Sequence, residues 1–228
     1  KDLEDYISYA SKKGFIDIML NNNGSAITEK RSQKILDSGL TRMRFSIDAF
    51  TSETYKNVRV GSIPLDRVKR NIETFLNLKE KGNYKLPIVG VSFCKTKQNE
   101  EELDEFVNYW KSRVDIISIQ KFIPPTTNKE KYKKYYASDQ YNELPLESFK
   151  CVQPFQRLMF RNEYMYPCCV SFNNELKLGS IKNQTIHSAW HSVKMNEIRE
   201  IHKSGEYWKN KTCKDCVNLI YPPKADIN

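Results

Sequence analysis

The chain has 228 residues, about one and a half times the length of a typical domain, and 39% hydrophobic with 12% aromatic residues is enough to build a packed core, which excludes a wholly disordered chain. Thirty-seven Lys and Arg against 28 Asp and Glu leave a net charge of +9, which permits an anionic partner without choosing one. The longest uncharged apolar run, residues 86–94, is half of the ~18 residues that a membrane helix needs, and no apolar leader with a small-residue cleavage site opens the chain, so the expectation is a cytoplasmic protein without a membrane partner.

From Leu3 to Ile123 the hydrophobic period switches between helical and strand values, the pattern of repeated βα units and a parallel sheet. Leu3, Tyr6, Ile7 and Ala10 have helical spacing that stops at Gly14, FIDIML (15–20) reads as a buried strand, and NNNG (21–24) as a turn. Thr28 suits the N-cap of a helix through Ile35 and Leu36 that stops at Gly39, and MRFSIDA (43–49) reads as the next strand. A short helical piece at 52–58 precedes a helix that puts Leu65, Val68, Ile72, Phe75 and Leu76 on one face and ends at Gly82. LPIVGVSFC (86–94) is a third strand, 99–113 a helix with acidic residues in its first turn, and 114–125 a fourth strand stopped by Pro124 and Pro125. Helices covering both faces of such a sheet leave ligands at the carboxyl ends of the strands, at SID, SFCK and SIQK.

Residues 126–150 are polar, rich in Lys and Tyr and without a clear period, and read as a linker between a domain at 1–125 and another at 151–228. Its interleaved Lys129, Lys131, Tyr132, Lys133, Lys134, Tyr135 and Tyr136 could stack on a single-stranded nucleic acid, but a solvated connector with rings folded onto the domain is the better reading.

Five of the six cysteines follow residue 150: Cys151, Cys168, Cys169, Cys213 and Cys216. The CKDC run lets two thiolates from one tight turn reach the same metal. Residues 152–167 read as two short strands turning at Asn162 and Glu163, which brings Cys151 and Cys168 together. Four thiolates suit structural zinc or an iron–sulfur cluster alike. Buried reduced thiols acting as small hydrophobes are the alternative; that explains Cys94 but fits poorly with CKDC inside the lysine-rich KNKTCKDC. His187, His191 and His202 read as structural or solvated, and Trp190, Met195 and Ile198 as core.

The run CVQPFQRLMFRNEYMYPCC, then LKLGSI, TIHSAWHSVKMNEIREIHKSGEY and CKDC, resembles the auxiliary-cluster domain of radical S-adenosyl-L-methionine (SAM) enzymes, of the SPASM or shorter twitch kind. LNNNG, FSID, the helix beginning PLDRVKRNIETF and the strand ending in Cys94 resemble the second half of that family's partial (β/α)6 barrel. The resemblance therefore implies an α/β fold, a half-barrel followed by a small cysteine-rich α+β domain. It implies one auxiliary 4Fe-4S cluster on Cys151, Cys168, Cys213 and Cys216, acting as electron acceptor or substrate site. Cys168 is chosen over Cys169 because it follows the proline of the strand-Pro-Cys pattern, although Glu163 stands where a glycine is usual.

In this family a Ser at the end of the fourth barrel strand and an Arg about a dozen residues later hold SAM, which matches Ser46 and Arg59 here; a hydroxyl and a guanidinium fork both grip a carboxylate. Asp48 shares the side of Ser46 and is a cofactor candidate, or else caps the next turn through Thr51 and Ser52. Cys94, at the carboxyl end of a strand, is a weak candidate hydrogen donor to a substrate radical.

The family's C-x3-C-x2-C loop, whose three thiolates hold the SAM-binding 4Fe-4S cluster, is absent, and KDLEDYISYASKKG looks like the helix after the second strand, so the expectation is a fragment without activity of its own. An intact parent is implied to cleave SAM reductively, form a 5′-deoxyadenosyl radical and oxidise or modify a small-molecule or peptide substrate, fed by an electron donor such as flavodoxin or ferredoxin. The competing reading is a zinc-binding module that holds nucleic acid or an acidic protein, and a third is a barrel that serves only as a scaffold.

Overall fold

The structure is a computed structural model that describes residues 2–125, 129–140, 149–169 and 174–222, and it divides into two units, Lys1–Phe122 and Ile123–Asn228. In the first unit β1 (Met19–Asn22), β2 (Arg42–Ser46), β3 (Ile88–Lys95) and β4 (Ile116–Lys121) alternate with α1 (Leu3–Lys12), α2 (Glu29–Leu36), α3 (Ser52–Val58), α4 (Leu65–Lys81) and α5 (Leu103–Trp110). All pairings are parallel and the strand order is β1-β2-β3-β4. The α/β class with a parallel sheet is therefore as the periodicity indicates.

The expectation that helices bury both faces is corrected. Met43, Phe45 and Ile47 from the β2 segment and Val89, Val91 and Phe93 from β3 join Ile35, Val68, Ile72, Phe75, Phe106 and Trp110 in one apolar cluster. Arg42, Arg44 and Ser46 alternate with these and belong to the opposite face, with Ser92 and Cys94. The cause is topological: the strand order never reverses, so successive right-handed crossovers lay their helices on the same side of the sheet. On the polar face the register aligns Ser46 with Ser92 and Ser92 with Ser118.

Several boundaries move. Only Met19–Asn22 of the first strand region pairs, while Phe15 and Ile16 are exposed and Asp17 is drawn to Arg42. Asn21 and Asn22 stay extended because Arg44 Nε donates to Asn21 Oδ1 at 2.8 Å, and the turn falls one step later, where Gly24 N–H donates to Asn22 Oδ1 at 2.6 Å. Gly24 has φ +74° and a Cβ there would stand 2.8 Å from Val68, so the position requires glycine. β2 ends at Ser46, since Asp48 turns the chain at φ 65°.

In the second unit β5 (Met159–Arg161) and β6 (Tyr164–Tyr166) form the hairpin expected around Asn162 and Glu163, extended by β7 (Gly179–Ser180) into an antiparallel sheet. Asn162 takes the left-handed conformation at φ 55°, so Glu163 stands where no glycine is needed. The first arm is shorter than the sequence indicates, because Gln153–Gln156 form a helical turn with Pro154 in its first positions. Within the stretch that reads as a linker, residues 126–128 and 141–148 lie outside the described residues, Lys129–Tyr132 are helical, and the buried Tyr136 donates its hydroxyl to Leu219 O at 2.9 Å. Numbering the helices in chain order, Lys129–Tyr132 is α6, Gln153–Gln156 is α7, and α8 (Ile186–Trp190), α9 (Val193–Lys203) and α10 (Lys211–Ile220) complete the unit. Met195 and Ile198 are buried as expected, and the half-buried Trp190 carries the Arg199 guanidinium 4.2 Å from its ring centre.

Candidate functional site

The CKDC run does not form the tight turn that the spacing suggests; it is the first part of α10, capped by Asn210, whose Oδ1 accepts the Cys213 N–H at 3.0 Å. Residues three apart share a helix face, so Cys213 and Cys216 still present both sulfurs the same way. A cavity of about 270 Å³ takes in Cys151, Cys168, Cys169, Cys213 and Cys216. Its remaining wall is mainly apolar, with Phe149, Pro167, Leu176, Ile198, Val217 and Ile220. The thiols thus reach one site from three separate places: the start of α7, the end of the hairpin and the capped helix.

Cys213 is buried and Cys151, Cys168 and Cys216 are half-buried, whereas Cys169 is exposed. Burial, then the neighbouring Cys168 and Cys151, push the Cys213 and Cys216 thiols up to about 12. Burial also raises Cys151, opposed by the Gln153 N–H at its sulfur. Buried thiols that raise one another in this way are a donor set that a cationic centre turns into thiolates, and the chemistry fits an iron–sulfur group. Among the described residues no group of three or more His, Cys, Asp or Glu is arranged to hold a single metal ion.

His202, which the sequence reading sets aside as structural, lines the same cavity. It is 2% exposed, its Nδ1 accepts the Cys151 N–H at 3.4 Å, and burial pulls the ring below the usual histidine range. No spacing in the sequence marks it, since its partner is a backbone amide 51 positions away.

In the first unit Ser46 lies at the carboxyl end of β2, with its Oγ 3.2 Å from Ser92 Oγ. Arg59, two turns into the following segment, is ion-paired through Nη2 with Asp48. Asp48 also accepts the Cys94 N–H at 2.7 Å, so it joins the end of β3 to Arg59. The capping alternative for Asp48 is overturned: Thr51 caps α3 with its own hydroxyl, and the Phe50 and Thr51 N–H groups donate to Glu102 at 2.7 and 3.2 Å. Arg59 borders a cavity of about 350 Å³ with Tyr55, Ser62 and Pro64, and both Arg59 Nε and Tyr55 Oη are buried without a partner among the described residues. That cavity does not include Ser46, so the two SAM candidates, one at the end of β2 and one at the end of α3, do not border the same cavity.

Cys94 is held as a neutral thiol, pushed to about 11 by burial first and then by Asp48. Asn99, absent from the sequence-based candidates, ties this corner together: its Nδ2 donates to Asp48 O at 2.8 Å and Cys94 O at 2.9 Å while its Oδ1 accepts the Thr96 N–H at 2.7 Å. An Asn ahead of an acidic helix reads as a cap, and that signal points to the right residue for another reason.

The sequence model of the SPASM family, an iron–sulfur cluster-binding domain, matches residues 151–217. A probable GTP 3′,8-cyclase of Methanococcus maripaludis is 30% identical over 123 residues, 54% of this chain and 39% of its own. The S-adenosyl-L-methionine-dependent 2-deoxy-scyllo-inosamine dehydrogenase of Niallia circulans is 36% identical over 53 residues, 23% of this chain and 21% of its own. The chain thus spans about two fifths of the cyclase, the first of the curated relatives it matches. Among solved structures, BtrN in complex with AdoMet and 2-DOIA is similar in fold, with a TM-score of 0.50 and 16% identity over 99% of this chain and 71% of that one. Residues 151–217 thus match an iron–sulfur cluster-binding domain of the SPASM kind, and the chain is similar in sequence to a GTP 3′,8-cyclase and to an S-adenosyl-L-methionine-dependent dehydrogenase.

Proposed function

We propose that this chain is part of a radical SAM oxidoreductase acting on a small molecule, with Cys151, Cys168, Cys213 and Cys216 as ligands of an auxiliary 4Fe-4S cluster. The observation that carries this reading is the cavity faced by thiols from three separate segments, all inside the matched domain. Cys168 is preferred to Cys169 because it is the less exposed of the two and stands first among the neighbours that raise Cys213 and Cys216.

The singly wound sheet is read as the second half of the family's partial (β/α)6 barrel, with its polar face toward substrate. Reduced iron–sulfur clusters and SAM supply one-electron chemistry when bound. The protein's share is positioning. Ser46, with the small Ser92 and Ser118 beside it, leaves the carboxyl ends of the strands open for a ligand. Asp48 fixes Arg59, and the unpartnered Arg59 Nε faces an acceptor such as the carboxylate of SAM. Cys94, kept as a thiol, can give a hydrogen atom at its sulfur. The apolar walls of the thiol cavity exclude water from the cluster. The two relatives named above act on GTP and 2-deoxy-scyllo-inosamine, both polar ring compounds, and a ring alcohol is the substrate class we assign; a ferredoxin- or flavodoxin-like donor supplies electrons.

The test is metal content after anaerobic purification. A brown protein with about four irons per chain, lost in Cys151→Ser, Cys168→Ser, Cys213→Ser and Cys216→Ser but kept in Cys169→Ser, supports the assignment. A colourless protein with one zinc overturns it.

A further inference from the structure

His202 is the buried histidine of the second unit, 2% exposed where His187 and His191 are exposed, and it lies on the wall of a cavity lined by thiols and mainly apolar side chains, with Lys150, Gln153 and Thr212 as its other polar residues. Its Nδ1 accepts the Cys151 N–H at 3.4 Å. An imidazole that accepts at Nδ1 carries its proton on Nε2. That donor has no hydrogen-bond partner among the described residues. The ring is therefore anchored at one end to the backbone of a sulfur ligand and offers an N–H at the other. α9, which carries it, is fixed in turn: Arg199 on the same helix donates to Pro154 O at 3.0 Å and Trp190 O at 2.9 Å, which joins α9 to the α7 turn directly after Cys151.

We infer that His202 is a positioning residue that fixes the Cys151 backbone and donates its Nε2–H to a sulfur of the group held by the cavity thiols, raising that group's reduction potential. The inference rests on the cluster assignment above. An N–H···S bond is worth more to the reduced, more negative state than to the oxidised one, and hydrogen bonds to sulfur are among the levers that set iron–sulfur potentials. The mainly apolar lining strengthens the effect, because a hydrogen bond in such surroundings is less screened than in water. No electron passes through the ring, which acts only as donor and anchor.

The experiment uses the full chain reconstituted anaerobically with iron and sulfide, in wild type, His202→Phe and His202→Gln. Iron content and the absorption band of the cluster are read first: if wild type holds no cluster, the thiol assignment fails and this inference with it. With iron present, dye-mediated titration followed by electron paramagnetic resonance reads the potential. His202→Phe is expected to keep its iron and show about a tenfold lower ratio of reduced to oxidised cluster at a fixed potential, about 59 mV for one electron, with His202→Gln recovering most of the shift through its amide N–H. Equal potentials in wild type and His202→Phe overturn the inference, as do equal shifts in both variants. Should His202→Phe fail to load, wild type labelled with 15N-histidine decides: electron-nuclear double resonance must show a coupling to a ring nitrogen and its exchangeable proton that His202→Gln abolishes, and its absence overturns the inference.

Discussion

At Arg59 one guanidinium has two unlike ends. Nη2 is bound by Asp48, which fixes the fork, and the buried Nε has no partner among the described residues. If Arg59 holds SAM as proposed, Arg59→Ala is expected to weaken SAM binding by about 1.5–3 kcal/mol, roughly ten- to a hundredfold, read by calorimetry; Arg59→Lys restores little, because a point charge cannot hold Asp48 and a ligand at once. Cys94 gives a prediction in pH. Its thiol titrates at about 11 in the folded chain against an ordinary value of 9.0, so between those values the unfolded chain has lost the proton that the folded one keeps, and the group's contribution to stability is present below pH 9 and falls as pH rises toward 11. Alkylation of Cys94, followed by mass spectrometry of its peptide, is expected to stay slow through pH 9 and accelerate toward pH 11. Cysteine clustering made the thiols legible from the sequence. The Asp48–Arg59 pair was not, because residues that each read as a separate ligand turn out to meet across a bend whose left-handed residue is Asp48 itself. His202 was invisible for a similar reason: a histidine that bonds a backbone amide leaves no partner to recognise in the sequence.

Among the elements, the hairpin was the most readable, since Asn162 and Glu163 sit between two short β-prone runs and the register pairs Arg161 with Tyr164 around them. The first strand was the least: Phe15 and Ile16 are apolar enough to extend any strand pattern, yet both stand exposed and the paired segment starts at Met19. The cap of α10 is the element on which the thiol site depends. Asn210→Ala is expected to cost about 1 kcal/mol in urea unfolding and to lower iron retention by more than that cost suggests, because the lost bond is to the amide of Cys213. Asn99 plays the equivalent part at the ends of β2 and β3. Asn99→Ala leaves the Thr96 N–H without its bond and is expected to destabilise the chain by about 1–3 kcal/mol, with Cys94 alkylation faster at neutral pH as the corner loosens.

For the whole molecule, periodicity was enough to give a parallel α/β sheet but not its sidedness. The alternation of Arg42, Arg44 and Ser46 with Met43 and Phe45 in β2 already carries the signal of a sheet with one apolar face, and the pairing order β1-β2-β3-β4, which no periodicity shows, places the crossover helices on that side. Cluster binding is coupled to folding wherever the ligands are dispersed along the chain. Iron loading is therefore expected to slow hydrogen exchange in α10, in the α7 turn and beside Tyr166 within Ile123–Asn228, and unchanged protection there after loading would remove the cluster from this site. Two of the proposed sulfurs ride on a capped helix, while Cys151 and Cys168 come from chain without regular structure. Half of the proposed binding site is thus held by helix geometry and half by irregular chain, so maturation is expected to begin on the helix, with the cost of ordering on the other side. Oxidative loss of iron should run the same path backwards, releasing the irregular strands of chain first and leaving the helical pair as the last foothold.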